Sequence, residues 1–133
     1  MMKKKLPSFN LQEMLIVLAI LGILLLIALP NFMPLISKTK AQEAKIQLKY
    51  IANLQQQYQF LNSKFADDFQ QLKFEVPIPV TEQGKANYSY EIIESSVNNY
   101  RVRATAVVDF DGDGIFNVWE ITREGTPREI TED

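Results

Sequence analysis

From Met14 to Leu29 the chain runs for sixteen residues without a charge or a polar side chain. Only Asn31 interrupts the apolar stretch before Ile36, 23 residues from Met14. A helix rises ~1.5 Å per residue, so this run crosses a hydrocarbon core ~30 Å thick. Glu13 stands at its mouth. An ionised carboxylate so placed is costly and normally has a function and a partner. That partner is a positive charge the span itself does not contain. Lys3, Lys4 and Lys5 orient the span with its start in the cytoplasm, and Lys38 and Lys40 weaken this bias without reversing it. A secretory signal peptide has an apolar core of about 7–15 residues followed by a small-residue cleavage site. The run here is too long, and Ala28-Leu29-Pro30 fits such a site poorly. A plain signal anchor is the simplest competing account.

The residues before the span are specific. Lys3-Lys4-Lys5-Leu6-Pro7-Ser8-Phe9-Asn10-Leu11-Gln12-Glu13 resembles the class III signal of type IV pilins and type II secretion pseudopilins. The family pattern is Gly-Phe-Thr-Leu-x-Glu, matched at Phe9, Leu11 and Glu13 and departed from at Ser8 and Asn10. The resemblance implies cleavage between Ser8 and Phe9 by a prepilin peptidase, more slowly for Ser8 than for glycine, and N-methylation of Phe9. It covers about the first 30 residues strongly. Family members often carry helix-breaking prolines where Pro30 and Pro34 stand here.

Cleavage would leave a positive amine on Phe9. In a filament whose helices pack in a central bundle, each buried charge needs a partner. Glu13 can neutralise the amine of its own chain or of a neighbour. The resemblance favours the neighbour, making the pair an assembly register.

Composition narrows the function classes. Loss of the three leader lysines takes the net charge from −2 to −5, which argues against nucleic-acid binding. With no cysteine and no histidine, disulfides, Cys-based metal sites, Cys nucleophiles and Ser-His triads are excluded together. No glycine-rich phosphate loop is present, and an enzyme is not expected.

Past the span, Ser37 to Ser63 lacks proline and glycine. Ala41, Ala44, Leu48, Ile51, Leu54, Tyr58 and Leu61 recur at spacings of three and four, the core stripe of an amphipathic helix. Ile46 and Tyr50 lie off that seam and are candidates to face a neighbouring subunit. One helix from about Leu11 to Leu61 is expected, kinked or locally melted at Pro30 and Pro34. Lys64 to Glu75 reads as a turn and short helix, and Pro77 and Pro79 mark an extended linker. Alternation predicts strands at Tyr88–Glu94, Tyr100–Val108 and Asn117–Thr122, with a turn at Asn98-Asn99. The segment from Glu124 to Asp133 reads as a solvated acidic end without a site. The fold class is α+β, a long N-terminal helix packed on an antiparallel meander of three or four strands, as in pilins. The expected divisions are a leader at 1–8, a transmembrane and polymerisation helix at 9–36, and a head at 37–133.

A second motif, Asp109-Phe110-Asp111-Gly112-Asp113-Gly114 with Glu120 beyond it, has the spacing of an EF-hand calcium loop. Calcium takes six to eight oxygens, and alternate loop positions turn inward. Asp109, Asp111 and Asp113 would supply carboxylates, Ile115 its carbonyl, Asn117 a direct or water-mediated contact, and Glu120 both oxygens. The alternative is a solvated Asp/Gly hairpin turn, opposed by the repulsion of three crowded carboxylates. Secretion pseudopilins and some pilins carry a calcium-stabilised loop near the last strands, which this resembles. Structural Ca2+ would replace a disulfide as the staple of the head.

The resemblance implies a type IV pilus or pseudopilus subunit. It would be a single-pass protein of the bacterial inner membrane, with a cytoplasmic N terminus, before joining a periplasmic or extracellular filament. Its partners would be copies of itself, prepilin peptidase, the inner-membrane assembly platform, and minor pilins or pseudopilins. The small cysteine-free head and the calcium motif lean towards the pseudopilin branch. The alternative is a signal-anchored extracytoplasmic calcium-binding domain that never polymerises.

Overall fold

The computed structural model describes residues 10–133. Helix α1 (Leu11–Asn62) begins where Asn10 accepts the Glu13 amide proton on its Oδ1, at 2.8 Å. This N-cap satisfies one of the amides a helix start leaves unpaired. Asn10 thus performs the capping for which threonine is also suited. The kink or local melting expected at Pro30 and Pro34 falls on residues 29–34, whose side chains lie outside the described ones.

The chain divides into two compact units, residues up to Met33 and Pro34–Asp133. Within the first, Leu11–Ala28 is long and apolar enough to cross a membrane, and none of that window is buried within the chain.

In the second unit, α1 presents Ala41, Ala44, Leu48 and Ile51 to the core. The next buried position is Gln55, and Leu61 is 78% exposed. The expected stripe is therefore corrected at its end. Leu54 and Tyr58 pack only at the border of the core. Gln55 is buried because it pairs at both ends with the backbone of Ala66. Its Oε1 accepts the Ala66 N–H at 2.8 Å and its Nε2 donates to the Ala66 carbonyl at 3.1 Å. A periodicity read from apolar residues alone passes over such an amide.

The 63–75 segment is a string of turns rather than a short helix. Lys73 has φ of 55°, and the Phe74 amide reaches back to the Phe69 carbonyl. Asp68 and Gln71 also bond local amides with their side chains, which competes with helix formation. Phe65, Leu72 and Phe74 are buried. Phe74 meets Tyr50 in a tilted contact at 5.9 Å and Tyr90 edge-to-face at 6.3 Å between ring centroids, closing the edge of the core against α1. A short 3-10 helix, Val80–Glu82, follows the prolines.

The sheet is an antiparallel meander of β1 (Tyr88–Ser95), β2 (Tyr100–Ala106), β3 (Val118–Thr122) and β4 (Arg128–Thr131) in that order. Alternation sends Tyr100, Val102, Ala104 and Ala106 inward from β2, and Trp119 and Ile121 inward from β3. The alanines of α1 and β2 join Tyr88, Tyr90 and Trp119 in one apolar cluster. Small side chains on both layers leave room for the rings. β4 corrects the expectation of a solvated end: it pairs with β3 through Val118↔Thr131, Trp119↔Glu129 and Glu120↔Arg128. Its residues are mostly exposed, so no apolar signal marked the strand.

Candidate functional site: a carboxylate loop on the sheet and a capped membrane helix

Between β2 and β3 the chain turns through Asp109–Gly114. Asp109 organises this turn: its two oxygens accept the amides of Gly112 at 2.9 Å and Gly114 at 2.5 Å. Hydrogen bonding from Gly114, then Gly112, holds the Asp109 carboxyl below its ordinary pKa. Gly112 and Gly114 have φ of 80° and 86°, a region that residues with a Cβ enter only at a cost. Asp111 accepts the Asp113 amide and Asp113 accepts the Ile115 amide, each through Oδ1. Backbone donors thus pin the three carboxylates and leave oxygen lone pairs free.

The structure brings Asp133 to these three aspartates. One carboxylate oxygen from each of Asp109, Asp111, Asp113 and Asp133 lies within 4.8 Å of the others. Asp133 Oδ2 accepts the Phe110 amide at 2.9 Å, while its Oδ1 is buried without a hydrogen-bond partner. No spacing rule links position 133 to a loop beginning at 109. The β3–β4 hairpin makes that link.

Two other expected ligands are placed differently. Asn117 is 4% exposed. Its Oδ1 accepts both Tyr88 Oη–H and Trp119 Nε1–H at 2.6 Å, and its Nδ2 donates to the Thr131 carbonyl at 2.8 Å. Both lone pairs of the amide oxygen are engaged by protein donors. Burial, reinforced by Glu43, Glu129 and Asp133, pushes the Tyr88 hydroxyl well above its usual pKa.

Glu120 lies on the opposite face of β3 from Trp119 and Ile121, as the strand period requires. Arg103 donates to its Oε2 from Nε at 2.9 Å and approaches it with Nη2 at 2.8 Å. Arg101 Nε lies 3.8 Å from Oε1. Register sets Glu91 opposite Arg103, Arg103 opposite Glu120, and Glu120 opposite Arg128. Charges therefore alternate across all four strands. Cross-strand pairs of this kind favour one register. Ile115 is 48% exposed beside the loop.

In the first unit, the Asn10 cap puts Glu13 in the first turn of α1. There the helix dipole favours a negative charge. Along the following span Leu11, Leu18 and Leu26 are exposed by 78%, 62% and 71%. Ile46 and Tyr50 are also outward, at 64% and 52%. Ser8 and Phe9, with the rest of the 1–8 leader, lie outside the described residues.

No family model matches the chain. The type IV major pilin protein PilA of Myxococcus xanthus (strain DK1622) is 30% identical to it over 108 residues. That similarity covers 81% of this chain and 46% of the relative, so the chain spans about half the length of the curated protein it matches. A membrane-length N-terminal helix and a helix-on-meander head give the chain a pilin-like arrangement, and the likeness over most of its sequence supports a type IV pilin-like family.

Proposed function

We propose that the chain is a structural subunit of a type IV filament. It enters the inner membrane as a prepilin, is cut between Ser8 and Phe9, is N-methylated on Phe9, and polymerises with copies of itself. The observation that carries this reading is the apolar half of α1. Its Leu11–Ala28 window has no residue buried within the single chain, and Glu13 is the sole ionisable residue there. Lipid covers such a surface before assembly, and neighbouring helices cover it afterwards. Glu13 would then pair with the Phe9 amine of a neighbour. The likeness to a major pilin draws the reading towards a pilus rather than a secretion pseudopilus, and the role is structural rather than catalytic.

Glu13→Ala tests the assembly step. Membrane insertion should remain and filaments should disappear from sheared-cell fractions; normal filaments in that variant would refute the pairing. The mass and N-terminal sequence of the membrane protein test the processing. An intact leader in cells with active prepilin peptidase would favour the non-polymerising, signal-anchored calcium-binding domain.

The proposal includes a structural calcium site at the carboxylate loop. Ligands on opposite sides of Ca2+ at about 2.3–2.6 Å lie about 4.6–5.2 Å apart. The carboxylate oxygens, within 4.8 Å of one another, fit that sphere. The partnerless buried oxygen of Asp133 is a second sign of fit, since a buried carboxylate oxygen is costly unless compensated. Bound calcium would neutralise the crowded carboxylates. Asp109, Asp111 and Asp113 would hold it, with the Ile115 carbonyl as a further donor.

A further inference from the structure

We propose that Asp133 closes the cation site in place of Glu120, so that cation binding fastens strand β4 to the Asp109–Gly114 turn. This rests on the calcium reading and adds a specific ligand and a mechanical consequence.

The argument begins with Glu120. An EF-hand places its bidentate glutamate at the twelfth and last position of the loop, where the exit helix begins. Here the corresponding residue is on a strand. With Trp119 and Ile121 committed to the core, the pleat turns Glu120 to the opposite face of the sheet, where Arg103 holds its Oε2 and Arg101 Nε lies 3.8 Å from its Oε1. Moving it to the loop would strand the Arg103 guanidinium, whereas Arg101 keeps Glu94 at 3.3 Å, and would break the charge row across the sheet. The EF-hand spacing is thus fulfilled in sequence and diverted by the β conformation.

Asp133 supplies the missing carboxylate by another route. The β3–β4 hairpin returns the chain alongside Val118, where Thr131 pairs, and Asp133 follows two residues later. Its Oδ2 is held by the Phe110 amide inside the turn, and its Oδ1 is buried without a partner. A carboxylate held on one side by the loop backbone and unsatisfied on the other is suited to a cation among the three aspartates.

A mechanical consequence follows. β4 has four residues with exposed or half-buried side chains and three register pairs to β3, so little apolar burial retains it. Without a cation, the Asp133 charge faces three other carboxylates and favours release of the strand. With one, the same charge becomes a tether. The cation thereby controls whether β4 is ordered on the edge of the sheet. An exposed edge in turn offers unpaired backbone groups to other chains.

The test uses the full chain in detergent, titrated with Ca2+ by calorimetry, and hydrogen exchange of the 128–131 amides with Ca2+ or EGTA. Asp133→Asn keeps an oxygen for the Phe110 amide but removes the charge. It should weaken calcium binding at least tenfold and abolish the calcium-dependent slowing of exchange in β4. Glu120→Gln should leave calcium affinity within about threefold of the parent. Parent-like affinity in Asp133→Asn, or an equal loss in Glu120→Gln, would overturn the assignment of Asp133 while leaving a calcium site in place. Exchange in β4 that ignores calcium would overturn the tether. Absence of calcium uptake by the parent chain would remove the calcium reading itself, and this inference with it.

Discussion

Asn117→Ala is the substitution whose cost the structure specifies most directly. It removes one acceptor shared by Tyr88 Oη–H and Trp119 Nε1–H, and one donor to the Thr131 carbonyl. Tyr88 and Trp119 are 0% and 7% exposed, so neither donor can readily find water. Leaving a buried polar group unpaired costs about 1–3 kcal/mol. Two such donors at about 1.5 kcal/mol each give a loss of about 3 kcal/mol, and the half-buried Thr131 carbonyl adds little. For a head of roughly 100 residues this lowers Tm by about 15 °C. Trp119 is the only tryptophan, so urea unfolding followed by its emission reads the loss directly, with EGTA present to exclude any cation contribution. In a Tyr88→Phe background one donor is already gone, and the added cost of Asn117→Ala should fall to about half. A loss below about 1 kcal/mol, or the same loss in both backgrounds, would refute the shared-acceptor argument.

Three other expectations are open to measurement. Gln55→Leu keeps the bulk but strands both backbone groups of Ala66, which is fully buried; the urea midpoint should drop by the equivalent of about 2–3 kcal/mol, and parent-like stability would show the amide pair to be dispensable. Burial pushes the Tyr100 hydroxyl up to about 12 and raises those of Tyr88 and Tyr90 as well. Because these folded-state pKa values exceed the unfolded value near 10, their contribution is intact below pH 10 and is lost as pH rises towards 12. Tyrosinate absorbance and loss of the fold should therefore rise together above pH 10, and full tyrosine ionisation in a folded head would contradict the burial argument. EGTA should lower the thermal midpoint of the calcium-loaded protein, and excess Ca2+ should restore it; no change with either would count against a structural cation.

The regular parts of this fold were legible because apolar period and structure coincide in them. α1 ends within one residue of its expected end, at Asn62, and the inward faces of β2 and β3 follow the alternation of Val102, Ala104, Trp119 and Ile121. Reading failed where polar groups carry the structure. Gln55 occupies a core position because its amide copies a backbone pair, whereas Leu61 continues the apolar spacing beyond the core. β4 was hidden because an edge strand with outward side chains owes its place to backbone pairing and charge rather than apolar alternation.

The carboxylate loop exposes a deeper reason. The Asp-x-Asp-x-Asp-Gly pattern records local geometry, and Asp109 duly gathers the Gly112 and Gly114 amides. The remote ligand in an EF-hand pattern presupposes that a helix follows. Here Val118–Thr122 is a strand, with a two-residue side-chain period rather than one near 3.6. Once Trp119 points into the core, its neighbour Glu120 must point away from it. The sequence contains both facts, the acid at the right distance and the alternation that turns it outward, and the alternation prevails because a tryptophan and an isoleucine in the core outweigh one prospective ligand. The space left beside the loop falls instead to Asp133, brought there by a hairpin that no spacing rule encodes.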